Sequence, residues 1–224
     1  MTMNNFGAKQ KFDLVPGCAR LNHKFDPAPI LAEVNALDDA VWSQTQRRRA
    51  VHGGASSIFL RGYPPLEGAK PIEDRELLGQ LPAIRSLIYS VIPAAPMRCV
   101  LAKLHAGKHI SRHMDKGPYF EAHLRLHFPI YTNPGVQFCA NSLFYRMAEG
   151  EVWVLNNSNL HGVLNENTED FRLHIICDFV PNEALIDAIK SANTGLGVVD
   201  DEALQRLDAY SNQSFEKEKL EKEG

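Results

Sequence analysis

Apolar and polar side chains alternate along residues 123–131, which read His123-Leu124-Arg125-Leu126-His127-Phe128-Pro129-Ile130-Tyr131. Successive side chains of a β-strand point to opposite faces, so this pattern predicts a strand with one aliphatic face and with Arg125 and His127 on the other. Residues 171–180 alternate in the same way, and their polar face carries Arg172, His174 and Asp178. One such strand is typical of a half-exposed sheet, whereas two of them favour a barrel with a polar interior.

The rest of the pattern predicts a mainly β protein with flanking helices. Short strand-like segments between turn-rich stretches favour a sandwich or barrel over a parallel α/β sheet. The predicted strands are 97–104, 123–131, 142–147, 151–156 and 171–180. Helical spacing of apolar residues predicts helices at 29–46, 81–91, 182–192 and 202–210. We expect a loop at 52–65 and a frayed tail at 216–224.

Length and composition favour one structural domain. The chain has 224 residues, of which 44% are hydrophobic, enough for one full core. Within that domain we expect an N-terminal helical and loop segment at 1–96. A barrel core at 97–180 and C-terminal helices with a charged tail at 181–224 complete it.

The charge of the chain bears on its binding partners, and its cysteine content bears on its cellular compartment. A net charge of -3 and a pI near 6.3 give no electrostatic reason to expect nucleic acid or an anionic membrane as partner. Arg47-Arg48-Arg49 is interpreted as a solvated helix face, and residues 1–11 lack the apolar segment of a signal peptide. No run is long enough to span a membrane. Four widely spaced cysteines, interpreted as buried free thiols, favour the cytoplasm: Cys18, Cys99, Cys139 and Cys177.

Three residues are candidate metal ligands. His113 and Asp115 lie two positions apart, so an extended backbone directs both side chains to the same side. His161 is the natural third ligand, because it follows a predicted strand through a polar loop. Two histidines and one carboxylate are the set with which non-heme Fe(II) oxygenases hold iron. Alternatively, His105, His109 and His113 would form a zinc-binding face on a helix, although Gly107 argues against a helix there.

Five elements of the sequence, in this order, resemble the aspartyl/asparaginyl β-hydroxylase family, which includes bacterial proline hydroxylases. They are 104–113 (Leu104-His105-Ala106-Gly107-Lys108-His109-Ile110-Ser111-Arg112-His113), Leu124-Arg125-Leu126-His127, Gly150-Glu151-Val152-Trp153, His161, and Phe171-Arg172-Leu173 with Asp178. The resemblance covers about residues 97–180. It implies a double-stranded β-helix, a cupin-like jelly-roll, and a dioxygenase that uses Fe(II), 2-oxoglutarate and O2.

The resemblance also implies roles for individual residues. His113 and His161 match the family's two metal-binding histidines. Arg172 matches the arginine that pairs with the far carboxylate of 2-oxoglutarate. Arg125 and His127 match the pair that contacts this co-substrate near the metal.

The sequence departs from the animal aspartyl hydroxylases at two positions. Those enzymes have no carboxylate two residues after the first histidine, so Asp115 makes the chain more similar to the amino-acid hydroxylases. Asp115 also fills the coordination position that a halide would need, which favours hydroxylation over halogenation. A serine that helps to hold the co-substrate in the animal enzymes is replaced around Ala102.

Electrostatics supports the arginine assignments independently of the family. The planar guanidinium of Arg172 can bind a carboxylate through two parallel hydrogen bonds. Asp115 lowers the charge on a bound Fe(II) to about +1, so a dianionic co-substrate needs further cations beside it. The alternative for Arg172 is a salt bridge to Asp170 or Asp178.

We therefore expect a 2-oxoglutarate-dependent dioxygenase that hydroxylates an unactivated carbon of a free amino acid or an amino-acid residue, with succinate and CO2 as products. No segment resembles a domain that recruits large proteins, which favours a small substrate. Arg61 is a candidate ligand for a substrate carboxylate, with an ordinary surface arginine as its alternative. The rival function is a non-oxygenase, cupin-like protein that binds a metal or small ligand, and Arg125 and Arg172 argue against it. The oligomeric state stays open.

Overall fold

Two antiparallel sheets form the centre of the protein in a computed structural model, which describes residues 6–44, 49–64 and 70–223. The strands are β1 Cys18–Lys24, β2 Ala55–Arg61, β3 Pro96–Leu104, β4 His109–His113, β5 Leu124–Tyr131, β6 Val136–Ala140, β7 Leu143–Tyr145, β8 Glu151–Leu155, β9 His161–Asn165 and β10 Arg172–Phe179. A six-stranded major sheet has the order β1-β8-β5-β10-β3-β2, and a four-stranded minor sheet has the order β4-β9-β6-β7. The predicted mainly β architecture is confirmed.

Helices cover the outer faces of both sheets. They are α1 Ala8–Leu14, α2 Ala28–Asn35, α3 Arg49–His52, α4 Pro82–Ser90, α5 Pro118–Ala122, α6 Glu183–Lys190 and α7 Asp201–Glu223, with 3-10 turns at Asp39–Gln44 and Glu76–Gln80. α2 and α4 lie against β5 and β3 of the major sheet, and α7 lies against β4 and β9 of the minor sheet. The space between the sheets holds the polar residues together with a second apolar cluster, which includes Phe138, Trp153 and Val163.

The aliphatic face of β5 packs outward, as the alternation predicts. Leu124, Leu126 and Phe128 belong to the core between the major sheet and the helices. The ring of His127 lies 5.2 Å from that of Phe138 on the minor sheet, measured between centroids, so the polar face of β5 points inward. Since a slip of one residue would exchange the two faces, burial of the leucines fixes this register.

Three predicted elements are wrong in part. The segment 52–65, predicted as a loop, contains β2, which pairs with β3 from Ala55 to Arg61. The predicted helix 29–46 ends at Asn35 and continues, after a break, as a 3-10 turn; residues 45–46 lie outside the described residues. The tail predicted to fray is helical to Glu223 as the end of α7. Its alternating Glu and Lys residues are good helix formers, and helix propensity outweighs the lack of an apolar face there.

The structure bears on the predictions made for the cysteines, the basic cluster and membrane-spanning segments. All four cysteines are free and buried, as predicted. Arg47 and Arg48 of the basic cluster lie outside the described residues. In the part of the chain that the structure describes, no helix has both the length and the apolar character needed to cross a membrane.

Candidate metal centre

His113, Asp115 and His161 come together at one end of the minor sheet. His113 ends β4 and His161 begins β9, and the two residues are direct partners across the antiparallel pair. Their ring centroids are 4.3 Å apart. One ligand atom from each of the three residues lies within 4.8 Å of the others. The structure thus groups the three residues that the sequence proposed as ligands, near enough to share one ion.

Backbone carbonyls orient both histidines. Nδ1 of His113 lies 2.7 Å from the carbonyl oxygen of Ser111, and Nδ1 of His161 lies 2.9 Å from that of Asn159. A carbonyl only accepts, so Nδ1 carries the hydrogen in each ring and Nε2 keeps its lone pair. Burial, reinforced by the nearby His113, lowers the pKa of His161 to about 3, which keeps this ring neutral. Neutral imidazoles held through Nδ1–H by a carbonyl are the usual arrangement of metal-ligating histidines.

Asp115 is held so that one carboxylate oxygen remains available. Its Oδ2 accepts a hydrogen bond of 3.0 Å from Nδ2 of Asn157 and contacts the guanidinium of Arg125. Its Oδ1 lies 3.8 Å from Nε2 of His113. Burial raises the pKa of Asp115, but Arg125, the two histidines and the hydrogen bond from Asn157 together outweigh burial and hold the pKa well below its usual value. Asp115 is therefore ionised and presents Oδ1 to the two imidazoles.

Arg125 binds two carboxylates. Its Nε and Nη2 donate to the two oxygens of Asp178 at 2.8 and 3.0 Å, while Nη1 contacts Asp115. Although burial opposes the charged form, both carboxylates raise the pKa of Arg125. The structure thus places Arg125 beside the candidate ligands, where it holds Asp115, and its contact with a co-substrate stays a prediction.

A second polar group lies deeper between the sheets. Arg172 is buried on β10, and its Nη2 donates to Nδ1 of His174 at 2.7 Å. Because a guanidinium only donates, this bond leaves the ring hydrogen of a neutral His174 on Nε2. Burial lowers the pKa of His174 well below its usual value, so the ring is neutral. Nδ1 of His127 lies 3.5 Å from Nδ1 of His174 and completes the group.

This interior group fits a carboxylate ligand. Within the described residues, Nε2 of His174, which carries the ring hydrogen, is buried and has no hydrogen-bond partner. An unsatisfied buried N–H costs about 1–3 kcal/mol, which an acceptor oxygen would offset. Ala102, where the family's serine is missing, lies between His174 and Ser57 in the strand register. The N–H of His174 and the guanidinium of Arg172 thus offer buried donors to a carboxylate, and the identity of that carboxylate stays a prediction.

Other predicted residues lie elsewhere. Arg61 bonds to Asp74 at 2.7 Å and to Tyr89 of α4 at 3.1 Å, so the structure does not bring it to the metal cluster. The alternative zinc face is wrong, because His109 and His113 belong to strand β4 rather than to a helix. His105 bonds to Ser56 instead.

Several residues around the site were not predicted from the sequence. His174 stood on the predicted polar face of its strand, and that pattern was the signal that could have identified it. Asn157 had no such signal, because one asparagine in a polar loop is common. The ring centroid of His52 on α3 lies 5.1 Å from that of His113, a contact that only the fold reveals.

The buried histidines predict how stability depends on pH. The folded chain keeps His127 and His174 neutral, whereas the unfolded chain protonates them below about pH 6.5. The free energy of unfolding of the metal-free protein should therefore fall as the pH falls below about 6.5, by up to about 1.4 kcal/mol per pH unit for each histidine. Urea denaturation at pH 7.5, 6.5 and 5.5 measures it. The variant His174→Asn should show a shallower slope than a His23→Asn control on β1, and equal slopes would contradict this.

Comparison with known proteins agrees with the site and the fold. The family model described as aspartyl/asparaginyl beta-hydroxylase matches residues 33–181. No curated protein matches the chain. An oxidoreductase of the 2OG-Fe(II) oxygenase family from Burkholderia pseudomallei is similar in structure, with a TM-score of 0.51, 14% identity, and coverage of 81% of this chain and 93% of that chain. A Pseudomonas putida prolyl-4-hydroxylase gives a TM-score of 0.47, 16% identity and coverage of 78% and 98%.

These findings confirm the predicted jelly-roll fold and the predicted family. At 14% identity the Burkholderia pseudomallei structure shows the fold alone. The family model extends from α2 to the end of β10 and includes all three candidate metal ligands and Arg172. Because this match covers more than half of the chain, the protein belongs to the aspartyl/asparaginyl β-hydroxylase family.

Proposed function

We propose that the protein is an Fe(II)- and 2-oxoglutarate-dependent dioxygenase that hydroxylates an unactivated carbon of a free amino acid or an amino-acid residue. The observation that carries this proposal is that a possible metal site and a possible carboxylate site both lie in the polar interior of the jelly-roll. The cluster of His113, Asp115 and His161 can hold a divalent metal, and the buried Arg172 and His174 provide donors for a carboxylate. A protein that only binds metal has no need for the second group.

The residues of this chain bind and orient the reactants. His113, Asp115 and His161 would hold Fe(II) through Nε2, Oδ1 and Nε2, since their other polar atoms are already engaged. Arg172 would bind the far carboxylate of 2-oxoglutarate. Bound Fe(II) supplies oxygen activation coupled to the oxidative decarboxylation of 2-oxoglutarate to succinate and CO2. The outer core of aliphatic side chains excludes water from the strands that carry these groups.

A small substrate is the form of this proposal that we favour. The described elements are those of the jelly-roll and the helices packed on it, without a separate docking domain among them. α5 lies beside the cluster, since Phe120 of α5 lies 5.4 Å below the guanidinium of Arg125.

The direct test is co-substrate turnover by the purified protein. With Fe(II) and O2, it should convert 2-oxoglutarate to succinate, and a mixture of amino acids should raise the rate. Succinate detected by mass spectrometry measures the first reaction, and a mass gain of one oxygen in an amino acid measures the second. Metal binding without any loss of 2-oxoglutarate would instead support the non-oxygenase alternative.

Arg125→Ala should weaken 2-oxoglutarate binding and uncouple its decarboxylation from hydroxylation. Loss of hydrogen bonds from a charged group costs about 1.5–3 kcal/mol, or about 10- to 100-fold in affinity. The variant also removes the contact of Arg125 with the ligand carboxylate of Asp115, and it leaves the buried Asp178 without its two Arg125 donors. The ratio of succinate to hydroxylated product measures the uncoupling.

Arg85→Ala is the matched control for this prediction. Arg85 is exposed on α4 and stacks on Tyr89, with 5.1 Å between its Cζ atom and the ring centroid. Its removal should leave both 2-oxoglutarate affinity and coupling unchanged. If Arg125→Ala has the same 2-oxoglutarate affinity and the same coupling of decarboxylation to hydroxylation as this control, Arg125 has no role in the reaction.

A further inference from the structure

Lys11 is a charged residue with no contact to solvent, and nothing in the proposed reaction uses it. It lies on the short helix α1, and its side chain has 0% exposure. Lysine is almost never fully buried without partners that satisfy its three donors. Nζ of Lys11 donates to the carbonyl of Phe120 at 2.6 Å, to the carbonyl of His123 at 2.8 Å and to Oδ1 of Asn157 at 2.6 Å.

These three acceptors belong to the two segments that carry the candidate metal ligands. Phe120 and His123 lie in and after α5, on the segment that follows Asp115. Asn157 lies on the loop that leads to His161. The backbone N–H of Asp115 also donates to the carbonyl of Asn157 at 2.9 Å, so the two segments are joined beside the ligands. The ammonium of Lys11 therefore sits where both segments meet.

The bond from Lys11 fixes which way the amide of Asn157 points. An ammonium has only donors, so the amide atom facing Lys11 must be the oxygen. The amide nitrogen then faces Oδ2 of Asp115, which only accepts, at 3.0 Å. With the amide turned over, two oxygens would face each other and repel. Lys11 thus selects the amide orientation that holds Oδ2 of Asp115 and leaves Oδ1 for the metal.

The charges of the surroundings make this arrangement tolerable. Lys11 is a buried cation and Arg125 a half-buried one, and the carboxylates of Asp115 and Asp178 both contact Arg125. Burial, followed by the charge of Arg125, lowers the pKa of Lys11 to about 8, while both aspartates act to raise it. The group is balanced in charge before a metal binds.

We propose that Lys11 is a positioning residue of the metal centre, which acts through the side-chain amide of Asn157 to orient the ligand carboxylate of Asp115. This inference rests on the proposed function, because it takes His113, Asp115 and His161 as the metal ligands. It assigns a part of the site to a helix that precedes the region matched by the family model, residues 33–181.

The test is the affinity of the metal-free protein for Co(II), followed by visible absorption without 2-oxoglutarate or substrate. Loss of residues that orient metal ligands typically weakens metal binding about 10- to 100-fold. Lys11→Met should bind Co(II) more weakly by a factor in this range. Lys9→Met is the matched control, because Lys9 lies on the same helix in an exposed pair with Asp13 and should leave the affinity unchanged.

Asn157→Leu separates positioning from simple support of the fold. It keeps Lys11 but removes the amide, and it should weaken Co(II) binding as much as Lys11→Met does. In the double variant, the loss should be no larger than that of the weaker-binding single variant, because both act through one contact. Should Lys11→Met fail to fold, as urea unfolding would show, the affinity of Asn157→Leu alone decides.

Two results would overturn the inference while leaving the proposed function in place. One is a folded Lys11→Met or Asn157→Leu protein that binds Co(II) as tightly as the unaltered protein. The other is a double variant whose losses simply multiply, which would show that Lys11 acts by another route. An unaltered protein that binds no Co(II) would overturn both the metal centre and the role of Lys11.

Discussion

Alanine at His113, Asp115 or His161 should lower succinate production at least about a thousandfold, equivalent to about 4 kcal/mol of transition-state stabilisation. Each residue supplies one of three ligand atoms that lie within 4.8 Å of one another, and two ligands hold a metal far less well than three. Co(II) titration of each variant should show the same loss directly. If His161→Ala forms succinate at the rate of the unaltered protein, His161 is not the third metal ligand.

These variants should remain folded. None of the three side chains belongs to the hydrophobic clusters on either side of the major sheet, so their removal leaves no large cavity in the core. The midpoint of urea unfolding should stay close to that of the unaltered protein for the two histidine variants and fall for Asp115→Ala, which removes an ion-pair partner of Arg125. His105→Ala is the matched control: His105 is a nearby histidine that bonds to Ser56 outside the cluster, and its loss should spare both metal binding and turnover.

The two strands with one polar face, β5 and β10, could be predicted from the sequence, whereas β9 could not. β5 and β10 alternate because one face meets the helices and the other meets the polar interior. β8 and β9 are buried at every position and carry no such alternation; the apolar run of β8 still predicted a strand at 151–156, but no strand was predicted at β9. Gly162 also lowers the strand propensity of β9, yet a Cβ atom there would lie 2.9 Å from the carbonyl oxygen of Ile110. Packing between two strands requires a residue that local propensity disfavours.

The ligands could likewise be predicted, whereas the residues that orient them could not. His113 and Asp115 are close in sequence, and their residue types restrict the chemistry. Lys11 is separated by 146 positions from Asn157, its partner. A lysine near the start of a polar segment has the sequence signature of a surface residue. Only the meeting of distant segments gives it an interior role.

The position of Arg125 was predicted correctly, but its hydrogen-bond partner Asp178 was not. The alternation of β5 put it in the interior, and the structure does so too. Asp178 was considered as a partner of Arg172, but its carboxylate accepts two hydrogen bonds from Arg125. Neighbouring strands bring these two together, since Arg125 and Asp178 are direct partners in the register of β5 and β10. Strand register, rather than sequence distance, decides which charges pair.

Arg172→Gln should raise the apparent 2-oxoglutarate requirement about thirty- to a thousandfold. Loss of a charge-assisted, two-point contact with a carboxylate costs on the order of 2–4 kcal/mol in a buried site. Co(II) affinity should change far less, because the two histidine ligands lie on the minor sheet and Arg172 lies on the major sheet. Titration of 2-oxoglutarate at fixed Fe(II), with succinate as readout, measures the first effect.

Arg172→Lys completes this experiment, because it keeps the charge but loses the planar fork, and it should give an intermediate requirement. The competing explanation, a structural salt bridge to Asp170 or Asp178, has less support. Asp178 bonds to Arg125, and the carboxylate of Asp170 accepts from Tyr131 and from the backbone of Phe171. If Arg172→Gln instead loses stability while its co-substrate affinity stays normal, then Arg172 supports the fold and the carboxylate of 2-oxoglutarate must bind elsewhere.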